Sequence, residues 1–369
     1  MKIVSVLTSD AQGGAEFAAV AMLDALATRG HETVLLTNQR ELAAGTSIHA
    51  RRVALGPKLS RSTYPSLIAT WPVLLWRLRS ELARERPYDV LLVHFKKEQL
   101  LVPSLPGSLR PMLAWAEWGK VPLEFRRGLP RRAYLWAARR AAFVMAVAEG
   151  ARESINEVGV PAGKLHTVPN AVSSDEIAFH AEGRRRVREE LGIDADAFVV
   201  GCISRLNRKK RNDVVVDAVA GLDDAHLILA GEGETEAELR ERALSLGDRA
   251  HFVPTPTAEV ADVLSAFDVS VFCPSPMEGA PRAVIIAMLA ERPCLATGPE
   301  GVADMIDADV GGIVFPHNDP GALAAILRGY VEEPARIERQ GREARRRAIA
   351  RYSPRVVAEE IEHLVRQAA

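Results

Sequence analysis

Two successive series of short apolar segments, each alternating with helical segments, constrain the fold of this 369-residue chain more than any other feature. In the first half the predicted strands are Lys2–Ser9, Glu32–Asn38, Asp89–Phe95, Pro111–Ala116 and Phe143–Ala148. The second half repeats the alternation, and its predicted strands are Phe198–Ser204, His226–Gly233, His251–Thr255, Val269–Ser275, Pro293–Gly298 and Gly312–Pro316. Short apolar strands between helices are typical of a parallel sheet buried on both faces. We therefore expect an α/β protein with two doubly wound domains in tandem that face each other across a cleft.

The alternation is interrupted between Val168 and Arg186, where VPNAVSSDE precedes a charged helix start. A chain of this length is too long for one ordinary core, so a domain boundary is expected at this interruption. The predicted domains are residues 1–172 and 173–350. Residues 351–369 are predicted to form a C-terminal helix that packs back toward the N-terminal domain.

Composition limits the classes of partner and the compartment. The net charge is −1, so no general electrostatic attraction to nucleic acid is expected. The cysteines Cys202, Cys273 and Cys294 are widely separated in apolar surroundings, which indicates reduced core residues and no zinc site. The chain begins MKIVSVL without a signal-peptide pattern, and no apolar run approaches the about 18 residues of a membrane-spanning helix. A cytoplasmic protein is expected.

Glycines follow two of the predicted strands. Gly13 and Gly14 precede a helix N-terminus, where backbone N–H groups and the helix dipole attract an anion. A flexible strand–helix turn explains the same pair equally well. Gly231 and Gly233 follow another strand and allow either tight packing or close approach of a ligand.

The strongest chemical signal comes from the basic loop RLNRKKRND and the segment PMEGAPRAVIIAM. Arg205 and Lys210 follow a buried strand, a position that suits a phosphate or diphosphate, although most charge runs are simply solvated. Pro281 suits the first position of the next helix, whose free N–H groups are expected to point toward the same loop. Glu278 lies between these two anion-attracting features. Together they suit a ligand with both phosphates and hydroxyls, such as a nucleotide sugar.

Six motifs in order resemble those of the retaining glycosyltransferases of family 4, also called group 1 glycosyltransferases. They are GGAE, PNAV, SRLNRKKRND, AGEGE, EGAPRAVIIAM and GGIVFPHNDPGALAAIL. The resemblance covers nearly the whole chain and implies the GT-B architecture of two Rossmann-like domains. It also implies an N-terminal acceptor-binding domain, a C-terminal nucleotide-sugar donor-binding domain, and no need for a metal or other cofactor.

The resemblance carries roles to individual residues. It implies that Arg205 and Lys210 bind the donor diphosphate, that Glu278 contacts the donor sugar, and that Gly14 lies against the donor phosphate or the acceptor. The remaining residues assigned to donor binding are Gly13, Gly231, Gly233, Gly279, Ala280, Pro281 and Arg282.

Three departures from the family pattern stand out. Ile286 replaces the second motif glutamate, which typically holds the ribose hydroxyls, although its apolar neighbours also suit a core residue. Glu117 replaces a histidine near the reacting centre, and it is either an acceptor-binding group flanked by Trp115 and Trp118 or a surface glutamate. Asp304 stands where a glutamate is common, and Pro254 replaces a frequent glycine.

The predicted function is retaining transfer of a sugar from a nucleotide-diphosphate sugar to a polysaccharide precursor, a lipid-linked glycan or a natural product. A sugar-nucleotide epimerase or hydrolase, and a non-catalytic nucleotide-sugar-binding relative, remain alternatives. A peripheral enzyme at the inner face of a membrane is a further alternative, supported only by the Arg- and Trp-rich segment Arg61–Arg86.

Overall fold

The structure is a computed structural model that describes residues 1–9, 13–60, 62–175, 177–254, 259–274, 281–298, 302–307 and 310–369, without the side chains of residues 303 and 304. The described residues form two compact units. The N-terminal unit comprises Met1–Ala171 and Pro354–Ala369, and the C-terminal unit comprises Val172–Ser353.

The described residues of the N-terminal unit form a seven-stranded sheet. Its strands are β1 (Lys2–Leu7), β2 (Glu32–Thr37), β3 (His49–Arg52), β4 (Val90–Val93), β5 (Leu113–Glu117), β6 (Phe143–Ala146) and β7 (Leu165–Thr167). Their order is β3-β2-β1-β4-β5-β6-β7, and every neighbouring pair is parallel. The sheet therefore runs outward in both directions from β1 and β4, which is the doubly wound arrangement predicted.

Helices cover both faces of this sheet. They are α1 (Gly14–Thr28), α2 (Tyr64–Glu85), α3 (Lys96–Leu101), α4 (Gly128–Ala138), α5 (Glu149–Val158) and a C-terminal helix (Pro354–Ala368). Short 3-10 helices lie at Arg40–Ala43, Val102–Ser104, Gly107–Leu109, Leu123–Phe125 and Ala162–Lys164. Buried side chains of α2, α4 and α5 pack on one face, whereas those of α1 and the C-terminal helix pack on the other.

The C-terminal unit repeats this plan in its described residues. Its strands are β8 (Val199–Ile203), β9 (His226–Ala230), β10 (Ala250–Val253), β11 (Val269–Phe272), β12 (Cys294–Thr297) and β13 (Gly312–Phe315), in the order β10-β9-β8-β11-β12-β13. All neighbouring pairs are parallel. The helices are α6 (Ala181–Glu190), α7 (Asn212–Ala220), α8 (Glu236–Arg242), α9 (Val260–Ala266), α10 (Arg282–Leu289), α11 (Val302–Ile306), α12 (Pro320–Glu332) and α13 (Ala335–Tyr352), with a 3-10 segment at Ala243–Arg249.

Two strands were not predicted from the sequence. β3 has the sequence HARR and carries no apolar run, because it is an edge strand with only partial burial. β7, with the sequence LHT, has three residues and is the other edge. Each predicted strand overlaps an observed one, with β5 running one residue further, to Glu117, and β10 beginning one residue earlier, at Ala250. The three cysteines are free and buried. Among the described helices, none combines the length and apolarity needed to cross a membrane.

The C-terminal helix begins at Pro354, three residues later than predicted, because Arg351 and Tyr352 complete α13. An ion-pair cluster joins this helix to the residues after α1. The Arg29 guanidinium donates to both carboxylate oxygens of Glu362, at 2.7 and 3.1 Å. A ring nitrogen of His31 lies 2.9 Å from the same carboxylate. Together these bonds lower the pKa of Glu362 to about 2, and the hydrogen bond from Arg29 has the largest effect.

We expect Glu362→Gln to destabilise the N-terminal unit near neutral pH, and the difference from the native chain to shrink in acid. The pKa of Glu362 is about 2 in the folded state, against a usual value of 4.5. The ion pair therefore stabilises the folded state fully at pH values above 4.5, and this stabilisation is lost as the pH falls from 4.5 toward 2. Urea unfolding followed by tryptophan fluorescence reports on this unit, since all five tryptophans lie in it. The control is Glu41→Gln at an exposed carboxylate. A difference that stays constant between about pH 6 and pH 3 would contradict the assignment.

Candidate functional site

The loops that follow β8, β9 and β11 leave the C-terminal sheet at the same edge, because these strands are parallel neighbours. Ligands of doubly wound folds bind at this carboxyl edge. The basic loop follows β8, Gly231 and Gly233 follow β9, and residues 275–280 follow β11 after Cys273 and Pro274.

Gly231 and Gly233 are required by the packing of one loop on another. A Cβ on Gly231 would lie 1.9 Å from the carbonyl oxygen of Ser204, and one on Gly233 would lie 2.2 Å from that of Leu206. Gly231 also has a φ of +147°, which side chains rarely adopt. Tight packing thus explains both glycines, and their contact with a donor stays a prediction.

Lys210 is the basic side chain that the structure brings to the neighbouring strand end. It is half-buried, and its Nζ lies 5.0 Å from the ring centroid of Phe272, the last residue of β11. Arg205 is exposed at the start of the loop. Arg211 has a left-handed φ of 49° and pairs with Asp213 at 2.8 Å, an interaction that raises the pKa of Arg211.

The start of α10 carries the other predicted donor-binding residues. Pro281 is its N-cap and Arg282 is its first residue. Ile286 is buried at 7% exposure, like Val284, Ile285 and Met288, so its side chain belongs to the core. Glu278, Gly279 and Ala280, as well as the side chain of Asp304, lie outside the described residues.

In the N-terminal unit, Gly13 is the N-cap of α1 and Gly14 is its first residue. Glu16 in the first helical turn is buried, accepts a hydrogen bond from Ser9 Oγ at 2.7 Å and lies 3.5 Å from Lys58 Nζ. A carboxylate at this position complements the positive end of the helix dipole. Whether Gly14 lies against the donor phosphate or the acceptor stays a prediction.

Glu117 lies at the carboxyl end of β5 and is almost fully buried, with 5% of its surface exposed. Both of its carboxylate oxygens lie 2.5 Å from the ammonium of Lys96, and it accepts a hydrogen bond from the Tyr134 hydroxyl at 2.9 Å. Lys96 also donates to Gln99 Oε1 at 3.1 Å. Burial lowers the pKa of Lys96 against the opposing effect of Glu117, and burial chiefly raises the pKa of Tyr134.

The prediction that Trp115 and Trp118 flank Glu117 in a binding site is wrong for Trp115. Its side chain is fully buried, and its ring centroid lies 5.5 Å from that of Tyr134. Side chains two apart on a strand share a face, so Trp115 and Glu117 both point toward the core beneath α4. Trp118 packs against the core of the opposite face and stacks on His94, with centroids 5.6 Å apart.

Lys96 and Tyr134 were not singled out from the sequence, nor was the neighbouring buried pair Lys97 and Glu98. The Lys97 ammonium donates to the carbonyl oxygens of Gly56 and Pro57 at 2.7 and 2.8 Å and lies 3.7 Å from Glu98. Thr8 donates to Glu98, and burial raises the pKa of that carboxyl. The signal available was the run KKE directly after a buried strand. The described residues contain no cluster of three or more metal-ligating side chains.

Two family models match the chain. The model described as Glycosyltransferase Family 4 matches residues 12–176, and the model described as Glycosyl transferases group 1 matches residues 183–347.

Proteins of similar sequence differ in how much of the chain they cover. A GDP-mannose-dependent alpha-(1-6)-phosphatidylinositol dimannoside mannosyltransferase of Mycobacterium tuberculosis is 34% identical over 204 residues, which is 54% of this chain and 51% of that protein. The chain thus spans about half the length of this relative. A D-inositol 3-phosphate glycosyltransferase of Kineococcus radiotolerans is 27% identical over 386 residues, covering 92% of this chain and 87% of that protein.

A solved structure matches the full chain. Anabaena HepE, crystallised in complex with UDP, superposes with a TM-score of 0.85 at 20% identity and 100% coverage of both chains. The two parallel-sheet α/β units therefore have the GT-B architecture, as predicted. With a family model matched in each half, the chain belongs to the group 1 glycosyltransferases.

We expect Lys96→Met to lower the free energy of unfolding of the N-terminal unit by about 3–5 kcal/mol, because it leaves the buried Glu117 carboxylate without its cation. Lys96→Met combined with Glu117→Leu should recover most of this loss, since an apolar pair of similar volume removes the buried charge altogether. Urea unfolding followed by tryptophan fluorescence measures both variants. If Lys96→Met stays within about 0.5 kcal/mol of the native chain, the pair has no structural role.

Proposed function

We propose that the chain is a retaining glycosyltransferase that moves a sugar from a nucleotide-diphosphate sugar to a small-molecule or glycan acceptor. The observation that carries this proposal is the contact of Lys210 with Phe272. It puts a cation beside the strand end from which the chain continues into residues 275–280, which contain Glu278. Membership of the group 1 glycosyltransferases supports the donor class, as does the GDP-mannose dependence in the name of the mycobacterial relative.

In the proposed donor site, side chains supply the positive charge. Arg205 and Lys210 stabilise the negative charge that develops on the leaving diphosphate. Arg282 and the backbone N–H groups at the start of α10 act on the same phosphates. Gly279, Ala280 and Pro281 keep the donor-binding role that the sequence predicts. Glu278 accepts hydrogen bonds from the sugar hydroxyls. Because the cations come from the chain, we propose that transfer needs no metal.

The proposed reaction retains the configuration of the anomeric carbon. The acceptor oxygen bonds to that carbon on the face from which the diphosphate departs. The bond between the carbon and the diphosphate oxygen breaks, and the departing diphosphate takes the acceptor proton. The protein contributes by holding the two substrates in position and by stabilising charge.

For the acceptor side we propose a positioning role for Glu117. Its burial and the three hydrogen bonds from Lys96 and Tyr134 support this role over that of a base. Instead it holds the start of α3 against the end of β5. The helix end at Gly13 and Gly14, with Glu16 beside it, is the proposed place for acceptor hydroxyls.

We expect Lys210→Ala to reduce transfer by about 10²–10³-fold, the loss typical of removing one group that stabilises transition-state charge. Lys209→Ala is the matched control, since Lys209 is an exposed lysine of the same loop and should retain activity. Transfer is measured with a radiolabelled nucleotide sugar, and folding is checked by circular dichroism. Unchanged turnover in Lys210→Ala would refute the donor-site assignment.

The same assay separates transfer from the hydrolase and epimerase alternatives. Products are analysed with and without an acceptor extract. A glycosyltransferase forms a new glycoside only when the acceptor is present. Free sugar or an isomerised nucleotide sugar as the main product in both cases would favour the alternatives.

We expect at least one of UDP, GDP, ADP and dTDP to raise the melting temperature of the chain. At a ligand concentration about 100 times the dissociation constant, binding to the native state adds about 2.7 kcal/mol of stability. The shift should disappear in Lys210→Ala and persist in Lys209→Ala. A screen in which none of the four nucleotides shifts the native chain would contradict the proposed donor class.

A further inference from the structure

A cavity of about 710 Å³ lies at the amino-terminal edge of the C-terminal sheet. Phe198 directly precedes β8, Asp268 directly precedes β11, and Arg292 lies two residues before β12. All three line the cavity. Because these strands are parallel, the cavity lies at the opposite edge of the sheet from the basic loop after β8. It is called the amino-edge cavity.

Arg292 is a buried cation in the wall of this cavity, with only 7% of its surface exposed. Its Nε donates to the carbonyl oxygen of Ala290 at 3.0 Å, and its Nη1 donates to that of Phe267 at 2.9 Å. A guanidinium has five N–H groups, so these bonds leave donors over. The Nη2 atom has no acceptor among the described residues, although it keeps access to solvent. Since Arg292 lines the cavity, these N–H groups are available to a ligand there.

The position of the Arg292 guanidinium is fixed by its surroundings. Its Cζ lies 4.6 Å from the ring centroid of Phe179, which also lines the cavity. The ring and the two carbonyl oxygens hold the planar group in one orientation. A fixed planar fork of donors is the arrangement that recognises phosphate and carboxylate groups.

The other charged groups around the cavity are largely paired with one another. The pairs are Arg184–Asp268 at 2.7 Å, Arg188–Asp268 at 2.9 Å, Arg342–Glu338 at 3.3 Å and Arg345–Glu291 at 3.9 Å. Asp196, the remaining carboxylate of the lining, is exposed. With Arg292 included, five guanidinium groups face four carboxylates, so one positive charge is left over.

Arg292 carries this excess charge. In the part of the chain that the structure describes, no carboxylate lies within ion-pair distance of it. Burial lowers the pKa of Arg292 to about 10, and the neighbouring Arg184 adds to the effect. A buried charge without an opposite charge is costly, and an anion beside Arg292 would offset that cost.

The cavity wall also has an apolar part. Phe198 and Ile337 are half-buried and pack against the core of this unit, and Val331 of α12 is 48% exposed. Pockets for small organic molecules typically have volumes of about 300–1,000 Å³. The amino-edge cavity is in this range and is much larger than an inorganic anion requires.

We propose that the amino-edge cavity binds a small organic anion. The phosphate or carboxylate group of the ligand accepts hydrogen bonds from Nη2 of Arg292, and its apolar body lies against Phe198, Val331 and Ile337. The cavity contains none of the residues of the proposed donor site. It is therefore a second ligand site, independent of the transfer reaction.

The test is isothermal titration calorimetry of the full chain with phenyl phosphate, benzoate, inorganic phosphate and phenol. Phenyl phosphate or benzoate should bind, and the tighter of the two identifies the preferred anionic group. Inorganic phosphate should bind at least about tenfold more weakly than phenyl phosphate, because it makes no apolar contact. Phenol should also bind at least about tenfold more weakly, because it has no charge to pair with Arg292.

Arg292→Met should weaken the binding of the preferred anion by about tenfold or more, through loss of hydrogen bonds to a charged group. Because Arg292 is buried, Val331→Glu is a second variant, which adds a negative charge at the exposed rim and leaves the bonds of Arg292 intact. It should weaken binding by about fivefold or more through repulsion of the anion. Val310→Glu is the matched control, since Val310 is a 43% exposed valine of the same unit that does not line the cavity.

The Val310→Glu and Lys210→Ala variants should bind the anion like the native chain. Absence of binding of both organic anions would overturn the proposal, as would equal binding by the native chain, Arg292→Met and Val331→Glu. Loss of binding in Lys210→Ala would also overturn it, since the anion would then occupy the donor site. Inorganic phosphate that binds as tightly as phenyl phosphate would refute the apolar contact.

Discussion

Parallel strand pairing is the constraint on which the described parts of this molecule depend. In both sheets every neighbouring pair is parallel, so each connection must cross the sheet and return through a segment on one of its faces. Those crossovers give the N-terminal sheet two separate cores, one under α2, α4 and α5 and one under α1 and the C-terminal helix. They also bring every loop that follows a strand to one edge. The basic loop after β8 and the end of β11 meet for this reason.

The same convergence buries charged side chains at the edge of the N-terminal sheet. α3 begins two residues after β4, and among its first three residues Lys97 and Glu98 are fully buried whereas Lys96 is partly buried. A buried charge is tolerated only with a partner. Lys96 has Glu117 and Gln99, whereas Lys97 has two carbonyl oxygens and Glu98. The carboxylate of Glu117, which stands where family members often have a histidine, is thus hydrogen-bonded to Lys96 and Tyr134.

Much of the fold could be predicted because apolar runs and helical periodicity are local signals. The edge strands β3 and β7 could not, since β3 reads HARR without an apolar run and β7 has only three residues. Glu117 was correctly placed at a strand end, but its partners lie 21 and 17 positions away in the sequence and meet it only through the packing of α3 and α4. The burial of Trp115 is consistent with its place inside a predicted strand of a sheet buried on both faces, an inference not drawn for this residue from the sequence. Glu278 stays a prediction from its motif.

In α10, which contains Ile286, the packing of the core determines the position of residues in the proposed donor site. The side chain of Ile286 is buried with Val284, Ile285 and Met288, so the eight residues of this helix are fixed mainly by apolar packing. That packing sets the position of Pro281 and Arg282 at the helix start. A glutamate at position 286 would offer a polar contact to a ribose but would bring a carboxylate among apolar neighbours. With isoleucine there, the core gains a side chain, and the proposed donor site lacks the polar group that the family pattern places at this position. In the proposed site, affinity for the donor must then come from the start of α10 and from the basic loop after β8.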